Sequence, residues 1–412
     1  MTARMTAMRL TVVLMVVALL AAACGGQVSG RPASARLDHA QTGAHPKTSA
    51  LTQVTTKASD PPAPGTTRCP CPNLVPGSNP SVLPGPVLIA DHLNNRLLIV
   101  DPNGTVTWEF PRPGDLLSGQ SFLVPDDAFF TPDGRYVLAT QEDDFTISLI
   151  DVSTHRIVWR YGTPGVPGSG PNQLDNPDDA LMMPDGDVIT ADIKNCRILV
   201  LRAPYHDPLR VYGMTTQACD HDPPQHWGSP NGAFPMANGQ YLITEINGSW
   251  VDGLSLSGQV NFSAHPPGVA YPSDTNEVRP GLFLTADYSN PGQIEEFTPS
   301  GSLVWRFTGS GGVPLNQPSL AIPLPNGDVL ANDDFNHRVI VVDPRTSQIV
   351  WQYGHTGVNG TEPGYLYDPD GVDLAPPRSL TITHAATMGR VGVPPGSPPA
   401  PGALPVTRPV GR

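Results

Sequence analysis

The stretch NPDDALMMPDGDVITADIKNCRILVLR, residues 176–202, decides the fold because approximate copies of it recur along most of the chain. It holds three apolar segments, the first two separated by a Pro-Asp-Gly turn at 184–186 and the last two by a polar turn. Asp-Gly between two apolar runs is a strong β-hairpin signal. The stretch therefore predicts consecutive antiparallel strands.

Three features of the sequence show how many copies of this unit the chain contains. Similar turns stand at 132–134, 237–239 and 325–327. A Pro followed by small polar residues opens each unit, and most closing strands carry a Trp; the residues are Pro125, Pro177, Pro230, Pro272, Pro318 and Pro369, with Trp108, Trp159, Trp305 and Trp351. A period of roughly 40 to 50 residues with four strands per unit is typical of β-propeller blades. We predict an all-β, six-bladed β-propeller with these Trp side chains packed between blades.

The first and last units predict how the ring closes. The segment before Val87 is too short for an inner strand and its turn, whereas residues 369–374 begin a seventh copy that is never completed. The C-terminal segment should therefore supply the inner strand of the first blade, which removes free sheet edges.

The chain begins with a segment typical of export. Arg4 and Arg9 precede an apolar run that ends in small residues, as in a secretory signal peptide over residues 1–23. The residues up to Cys24 resemble a bacterial lipobox, in which the cysteine is lipidated. We expect a lipoprotein anchored through Cys24 to the outer side of the bacterial cell membrane, with ordinary secretion or an uncleaved anchor as alternatives.

Composition divides the rest of the chain. Residues 24–81 and 384–412 are rich in Pro, Gly and small residues and lack apolar periodicity, which predicts a disordered tether and a disordered tail. The propeller should span 82–383. A net charge of -13 with 24 Lys and Arg argues against nucleic acid or anionic lipid surfaces as partners.

Five cysteines are present, and lipidation of Cys24 would leave four. Cys196 lies in the turn after a second strand and Cys219 in the following blade connection, so both belong to one face and we predict a disulfide between them. The partners of Cys69 and Cys71 stay open. A redox role for that pair is disfavoured because one residue separates them and no helix pattern follows.

The polar turn between the second and third strands carries a family resemblance. Residues 91–96, 192–197 and 333–338 all read D-x-x-N-x-R, which resembles the NHL repeat. Closing segments such as 151–159 are also similar to the repeats of quinoprotein and arylsulfotransferase propellers. Because the motif recurs at equivalent positions, we assign it a structural role, with the Arg bridging to that Asp or to the neighbouring blade.

The long connections predict the functional face. They span 111–124, 162–176, 213–229, 263–271, 308–317 and 354–368, on the side where each inner strand starts. Long loops on a rigid scaffold commonly bind ligands. Polar residues at the inner-strand starts form an acidic collar there: Asp126, Asp127, Asp178, Asp179, Asn231, Asp274, Asp370 and Asp373. We predict a ligand site at Asp127, Asp179, Asp220, His221 and Trp227, the last as an exposed aromatic.

Two interpretations of the collar stay open. Carboxylates at a propeller mouth suit Ca²⁺ or Mg²⁺, with Asp126, Asp127, Asp178, Asp179 and Asp370 as ligands. Alternatively, each carboxylate caps its own strand start. The segment Cys219-Asp220-His221-Asp222, with His226, matches no established zinc spacing.

The favoured function is binding of an extracytoplasmic protein, peptide or glycan through the long-loop face, with no catalytic residue assigned. The alternative is an enzyme with its site at the same mouth, either a quinone-dependent dehydrogenase or a metal-dependent lyase or hydrolase. His221, His226 and His265 are the candidate bases, but no catalytic signature accompanies them. No cofactor is assigned; Ca²⁺ is the first to test and pyrroloquinoline quinone the second.

Overall fold

The computed structural model describes residues 71–216 and 218–376. Within them, six four-stranded antiparallel sheets form the blades of a propeller, which confirms the predicted fold. The innermost strands of neighbouring blades contact one another around the axis. The predicted signal peptide, Cys24 and Cys69 lie outside the described residues, as do most of the predicted tether and the predicted C-terminal tail.

Blade 1 closes the ring as predicted. Its inner strand is β26 (Pro369–Leu374), which pairs with β1 (Val87–Asp91), followed by β2 (Arg96–Val100) and β3 (Val106–Phe110). Val87 lies opposite Leu374, and Ile89 opposite Val372. The chain ends of the ring are therefore joined by backbone hydrogen bonds within one sheet.

The other blades run from the axis outward in chain order. Blade 2 comprises β4 (Ala128–Phe130), β5 (Tyr136–Gln141), β6 (Thr146–Asp151) and β7 (Arg156–Gly162). Blade 3 comprises β8 (Pro177–Met182), β9 (Val188–Asp192), β10 (Arg197–Leu201) and β11 (Arg210–Tyr212). Blade 4 comprises β12 (Pro230–Pro235), β13 (Tyr241–Glu245), β14 (Trp250–Leu254) and β15 (Val260–Ala264).

Blade 5 comprises β16 (Pro272–Arg279), β17 (Leu282–Asp287), β18 (Gln293–Phe297) and β19 (Leu303–Phe307). A small hairpin of β20 (Gly309–Ser310) and β21 (Val313–Pro314) follows it. Blade 6 comprises β22 (Ala321–Pro323), β23 (Val329–Asp333), β24 (Arg338–Asp343) and β25 (Gln348–Tyr353).

The D-x-x-N-x-R turns have the structural role expected of them. In blade 1 the Asp91 carboxylate accepts from Asn94 at 2.9 Å and from Arg96 Nε at 2.7 Å. Its second oxygen accepts from the backbone of Tyr367, in the connection that leads into β26, at 2.7 Å. Blades 3 and 6 repeat these contacts around Asp192 and Asp333. Each motif thus ties a turn to the connection that enters its own blade.

The repeated Trp side chains pack between blades, as predicted. The Trp108 indole donates to the carbonyl of Val152 in blade 2 at 2.9 Å, and Trp351 in blade 6 donates to Pro102 in blade 1 at 2.9 Å. Trp159 and Trp305 lie in clusters that combine side chains of blades 2 and 3 and of blades 5 and 6. The large rings therefore stabilise adjacent sheets.

The propeller begins earlier in the chain than the predicted residue 82. Leu74 is buried and bridges to Tyr353 in blade 6, and the Asn79 backbone donates to Val350 at 2.8 Å. Residues 71–81 of the predicted tether thus lie along the outer strand of blade 6, because that strand has an unpaired edge. No described segment forms a helix of the length and hydropathy that crossing a membrane requires.

Candidate functional site in the axial mouth

The turn after each second strand and the connection that enters the blade lie on one face. Ile193 in the blade 3 turn donates its backbone N–H to Asn176, and Ile246 in blade 4 donates to Ser229. Turns in blades 1, 5 and 6 make equivalent contacts with their own connections. The start of every inner strand therefore opens onto the long-loop face.

Two layers of residues line the axis where the inner strands start. The outer layer holds the residue that follows each opening proline: Asp370, Asp126, Asp178, Asn231, Ser273 and Ser319. The next residue of each blade forms the inner layer: Gly371, Asp127, Asp179, Gly232, Asp274 and Leu320. Oxygens of Asp127, Asp178, Asp179 and Asp274 all lie within 4.8 Å of one another. We call these four residues the axial cluster.

The carboxylates of the collar bond both within and between blades: Asp373 Oδ1 accepts from the Leu374 backbone of its own strand at 2.8 Å. Asp179 Oδ2 accepts from the Ala233 backbone in blade 4 at 3.0 Å, and Asp373 Oδ2 accepts from Phe130 in blade 2 at 2.8 Å. Asp179 and Asp373 therefore each tie one blade to another. These bonds leave other carboxylate oxygens of the mouth without a donor.

Two glycines make room for the cluster. A Cβ at Gly371 would lie 2.6 Å from Asp127 Oδ1, and one at Gly232 would lie 2.6 Å from Asp274 Oδ1. Neither glycine has the positive φ that would by itself require glycine. The reason for glycine at these positions is therefore space and not backbone conformation: space for carboxylate oxygens and, at Gly371, also for the backbone of Asp126 and Asp127.

Several buried oxygens of the mouth have no hydrogen-bond partner among the described residues. They are Asp127 Oδ1, Asp179 Oδ1, Asp334 Oδ2 and both oxygens of Asp274. Asp274 is 0% exposed. An unpaired buried carboxylate is so costly that a proton or a cation normally compensates for it.

The pKa values of these carboxyl groups are raised. Burial is the main cause for Asp126, Asp127, Asp178 and Asp274, and neighbouring carboxylates add to it. Burial likewise raises the pKa of Asp179 to about 7, although a hydrogen bond from Ala233 opposes the shift. None of the largest influences on the four axial cluster residues is a Lys or Arg. Burial and the repulsion between neighbouring carboxylates therefore both favour the protonated form of these groups.

Sequence reasoning missed a second group of mouth residues. His92 Nδ1 lies 3.5 Å from Asp126 and 3.7 Å from Asp370, and the pKa values of Glu142 and Asp368 are raised to about 7, chiefly by burial. His92, Glu142 and Asp334 occupy equivalent positions, directly after a second strand. Aligning the repeats at that position would have found them, because three blades place a histidine or a carboxylic acid there.

The predicted ligand residues do not all come together. Asp127 and Asp179 belong to the axial cluster, whereas Asp220 is exposed in the 213–229 connection. His221 instead faces Glu245 and Asp252 in blade 4. The prediction that Trp227 is exposed is wrong: it is 0% exposed, and its indole donates to Tyr212 at 3.1 Å because it anchors this connection to the core.

The predicted disulfide between Cys196 and Cys219 is present. It joins the turn after β9 to the 213–229 connection, so it holds the segment that carries His221. Cys71 is also disulfide-bonded.

No protein-family model matches this chain, and no curated protein matches it. A protein of unknown function from Bacteroides caccae aligns with a TM-score of 0.50 at 17% identity, covering 70% of this chain and 98% of that chain. A virginiamycin B lyase from Staphylococcus aureus, solved with quinupristin as an inactive variant, gives 0.40 at 17% identity over 55% of this chain and 69% of that one. The dihydro-heme d1 dehydrogenase NirN gives 0.40 at 14% identity over 67% and 54%. At 17% identity, the likeness to the Bacteroides caccae protein concerns the fold alone.

Proposed function

We propose that this propeller binds its ligand through a divalent metal ion, Ca²⁺ or Mg²⁺, held by the axial cluster on the long-loop face. Asp127, Asp178, Asp179 and Asp274 would hold the ion. An ion there supplies the positive charge that four buried carboxylates lack, and it offers open coordination positions to oxygen atoms of a ligand. Both ions prefer oxygen ligands, and Ca²⁺ tolerates irregular geometry better than Mg²⁺ does.

The observation that carries the proposal is Asp274. Asp274 is fully buried, and neither of its carboxylate oxygens has a hydrogen-bond donor among the described residues. Gly232 leaves space beside this carboxylate. Asp179 and Asp274 can share a proton when one of them is protonated. A cation competes with that proton, and it does so more effectively as the pH rises.

The ligand class follows from the charge of the mouth. Without a cation, the mouth repels anions; with one, carboxylates and hydroxyl groups complete the coordination. A protein, peptide or glycan outside the cell fits this requirement. We further propose that the chain is exported and anchored through Cys24, which would place the mouth in a compartment rich in Ca²⁺ and Mg²⁺. Replacing Cys24 with Ala should then release the protein from the membrane fraction.

A second function, metal-dependent lyase or hydrolase chemistry, is favoured by His92. Its imidazole lies beside Asp126 and Asp370 at the entrance of the same mouth, so it is placed to exchange a proton with a ligand held there. His92→Gln would abolish turnover but spare ion binding if this is so. A quinone-dependent dehydrogenase has less support, because the candidate bases His221 and His265 pack against Trp250 of blade 4 and do not belong to the axial cluster.

Calorimetric titration of Ca²⁺ and Mg²⁺ into chelator-treated protein tests the proposal. Asp274→Asn should abolish binding, and Asp179→Asn should weaken it at least tenfold. Asp220→Asn is the matched control, because this acid is exposed in the long connection. Absence of binding by the wild type, or loss of binding in the control alone, would refute an axial ion site.

A further inference from the structure

Five of the six blades place an arginine beside the polar residues between their second, third and fourth strands. In blades 1, 3 and 6 it is the first residue of the third strand, paired with the last residue of the second: Arg96, Arg197 and Arg338. In blades 2 and 5 it comes from the fourth strand: Arg160 donates to Ser148 at 3.1 Å, and Arg306 donates to Glu295 at 2.8 Å.

Blade 4 alone lacks this arginine. Its residue opposite Glu245 is Trp250, where blades 1, 3 and 6 have Arg. The fourth-strand position opposite Asp252 is Ser263, where blades 2 and 5 have Arg. Two carboxylates, Glu245 and Asp252, nevertheless occupy this pocket. Both side chains are fully buried. The blade thus keeps and even adds acidic groups but has lost the cation that neutralises them in its neighbours.

His221 completes the cluster from the 213–229 connection. Its Nδ1 lies 3.1 Å from each oxygen of Glu245 and 3.9 Å from Asp252 Oδ2. The ring stacks on Trp250 at 4.2 Å with an interplanar angle of 10°. His221 follows the disulfide-bonded Cys219 by two residues. The disulfide and the stacking on Trp250 together hold the imidazole beside the two carboxylates.

One oxygen in the pocket points to a ligand. Asp252 Oδ1 accepts from Ser263 Oγ, whereas Asp252 Oδ2 is buried and has no donor unless the neighbouring carboxyl of Glu245 is protonated. Glu245 Oε2 accepts from the backbone of Gly228. Asp252 Oδ2, a Glu245 oxygen and His221 Nδ1 all lie within 4.8 Å of one another.

We propose that His221, Glu245 and Asp252 bind a transition-metal ion of the Zn²⁺ class in blade 4, separate from the axial cluster. One imidazole nitrogen with two carboxylates is a mixed N/O donor set, which suits Zn²⁺ and its first-row neighbours better than the all-oxygen axial cluster does. Ligands bound at about 2.0 to 2.2 Å in a tetrahedron lie roughly 3.3 to 3.6 Å apart. The separations of 3.1 and 3.9 Å bracket that value.

The charge state of the pocket agrees with this assignment. Burial lowers the pKa of His221, which favours the neutral imidazole that binds metals. Burial and the neighbouring Asp252 raise the pKa of Glu245, so the pocket lacks a positive charge that would offset its two carboxyl groups. The ion would do in blade 4 what the arginines do in the other blades.

The test uses Co²⁺ as a spectroscopic probe and Zn²⁺ as its competitor, with the full-length protein and its disulfides intact. Visible absorption of bound Co²⁺ should appear with the wild type and be displaced by Zn²⁺. Asp252→Asn and His221→Ala should each weaken binding at least tenfold. Trp250→Arg restores the arginine of the other blades, so it should abolish binding while the melting temperature stays equal or rises.

Two controls locate the ion. Asp274→Asn, in the axial cluster, should leave the Co²⁺ spectrum unchanged, and so should His226→Ala, in the same connection. Absence of binding by the wild type would overturn the proposal and leave a protonated carboxyl pair in blade 4. Binding that survives both His221→Ala and Trp250→Arg, or that is lost with Asp274→Asn, would overturn it as well. The proposed ion site in the axial cluster is tested separately, by the Ca²⁺ titration.

Discussion

The stability of the metal-free protein should fall as the pH rises from about 5 to about 7. Asp179 contributes to this fall because its pKa is raised from 3.8 to about 7 in the folded protein, chiefly by burial. A raised carboxyl pKa means that the folded state holds a proton that the unfolded chain has already released. Folding then takes up protons, and the free energy of unfolding decreases with pH until the folded pKa is passed.

The size of the effect follows from that pKa. Each such group lowers the free energy of unfolding by about 1.4 kcal/mol per pH unit while it is protonated only in the folded state. For one group with a folded pKa of about 7, the loss between about pH 5 and pH 7 is roughly 2 kcal/mol. Glu142 and Asp368, also with pKa values of about 7, act in the same direction. His337, whose pKa is lowered by burial, acts in the opposite direction.

Comparison with Asp179→Asn isolates the mouth, because His337 and the other groups are common to both proteins. Urea unfolding in the presence of a chelator, followed by Trp fluorescence, should show that the variant loses roughly 2 kcal/mol less than the wild type between about pH 5 and pH 7. Addition of Ca²⁺ at a hundred times its dissociation constant should return about 2.7 kcal/mol to the wild type at neutral pH. A wild-type stability that rises over this range, or equal slopes for both proteins, would refute the reasoning.

Three further predictions concern the frame of the site. Truncation before β26 should abolish cooperative thermal unfolding, because blade 1 loses its inner strand, whereas truncation after residue 383 should shift the melting temperature by no more than a few degrees. Replacing Cys196 and Cys219 with Ser should cost roughly 3 kcal/mol in urea unfolding, as expected for a disulfide-closed loop with a separation of 23 residues; an unchanged urea midpoint would contradict this. Gly371→Ala should weaken Ca²⁺ binding at least tenfold in calorimetry, because its Cβ would lie 2.6 Å from Asp127 Oδ1. Gly85→Ala is the control, since its nearest contact is 3.5 Å away, and equal Ca²⁺ affinities would show that the space at Gly371 is not needed.

The fold could be predicted from the sequence because its signals are local and repeated. Pro-Asp-Gly turns, opening prolines and closing Trp residues each depend on a few neighbouring residues, and six approximate copies average out the exceptions. The closure by β26 was readable for the same reason, since a missing first strand and a surplus last strand are both visible in the repeat pattern. The disulfide followed from placing Cys196 and Cys219 on one face.

The candidate site residues were harder to predict from the sequence, because they depend on which way individual loop side chains point. Trp227 is an aromatic in a long polar connection, and nothing in its neighbours distinguishes an exposed ring from an anchor; packing against the core decides it. Glu245 and Asp252 were missed for a different reason. Blade 4 departs from the D-x-x-N-x-R motif, and the departure itself was the signal, because it replaces an arginine while keeping the carboxylate beside it.

Both candidate ion sites follow from one feature of this propeller, the way in which it compensates for buried carboxylates. In the outer half of the blades, arginines of the same sheet provide the counter-charge, as Arg338 does for Asp333 at 2.7 Å. Near the axis the inner strands of all six blades converge. This leaves too little space for a long arginine side chain. A small ion or a shared proton is the compensation that fits there. In blade 4 the same requirement arises because Trp250 and Ser263 stand opposite Glu245 and Asp252, where other blades have arginine.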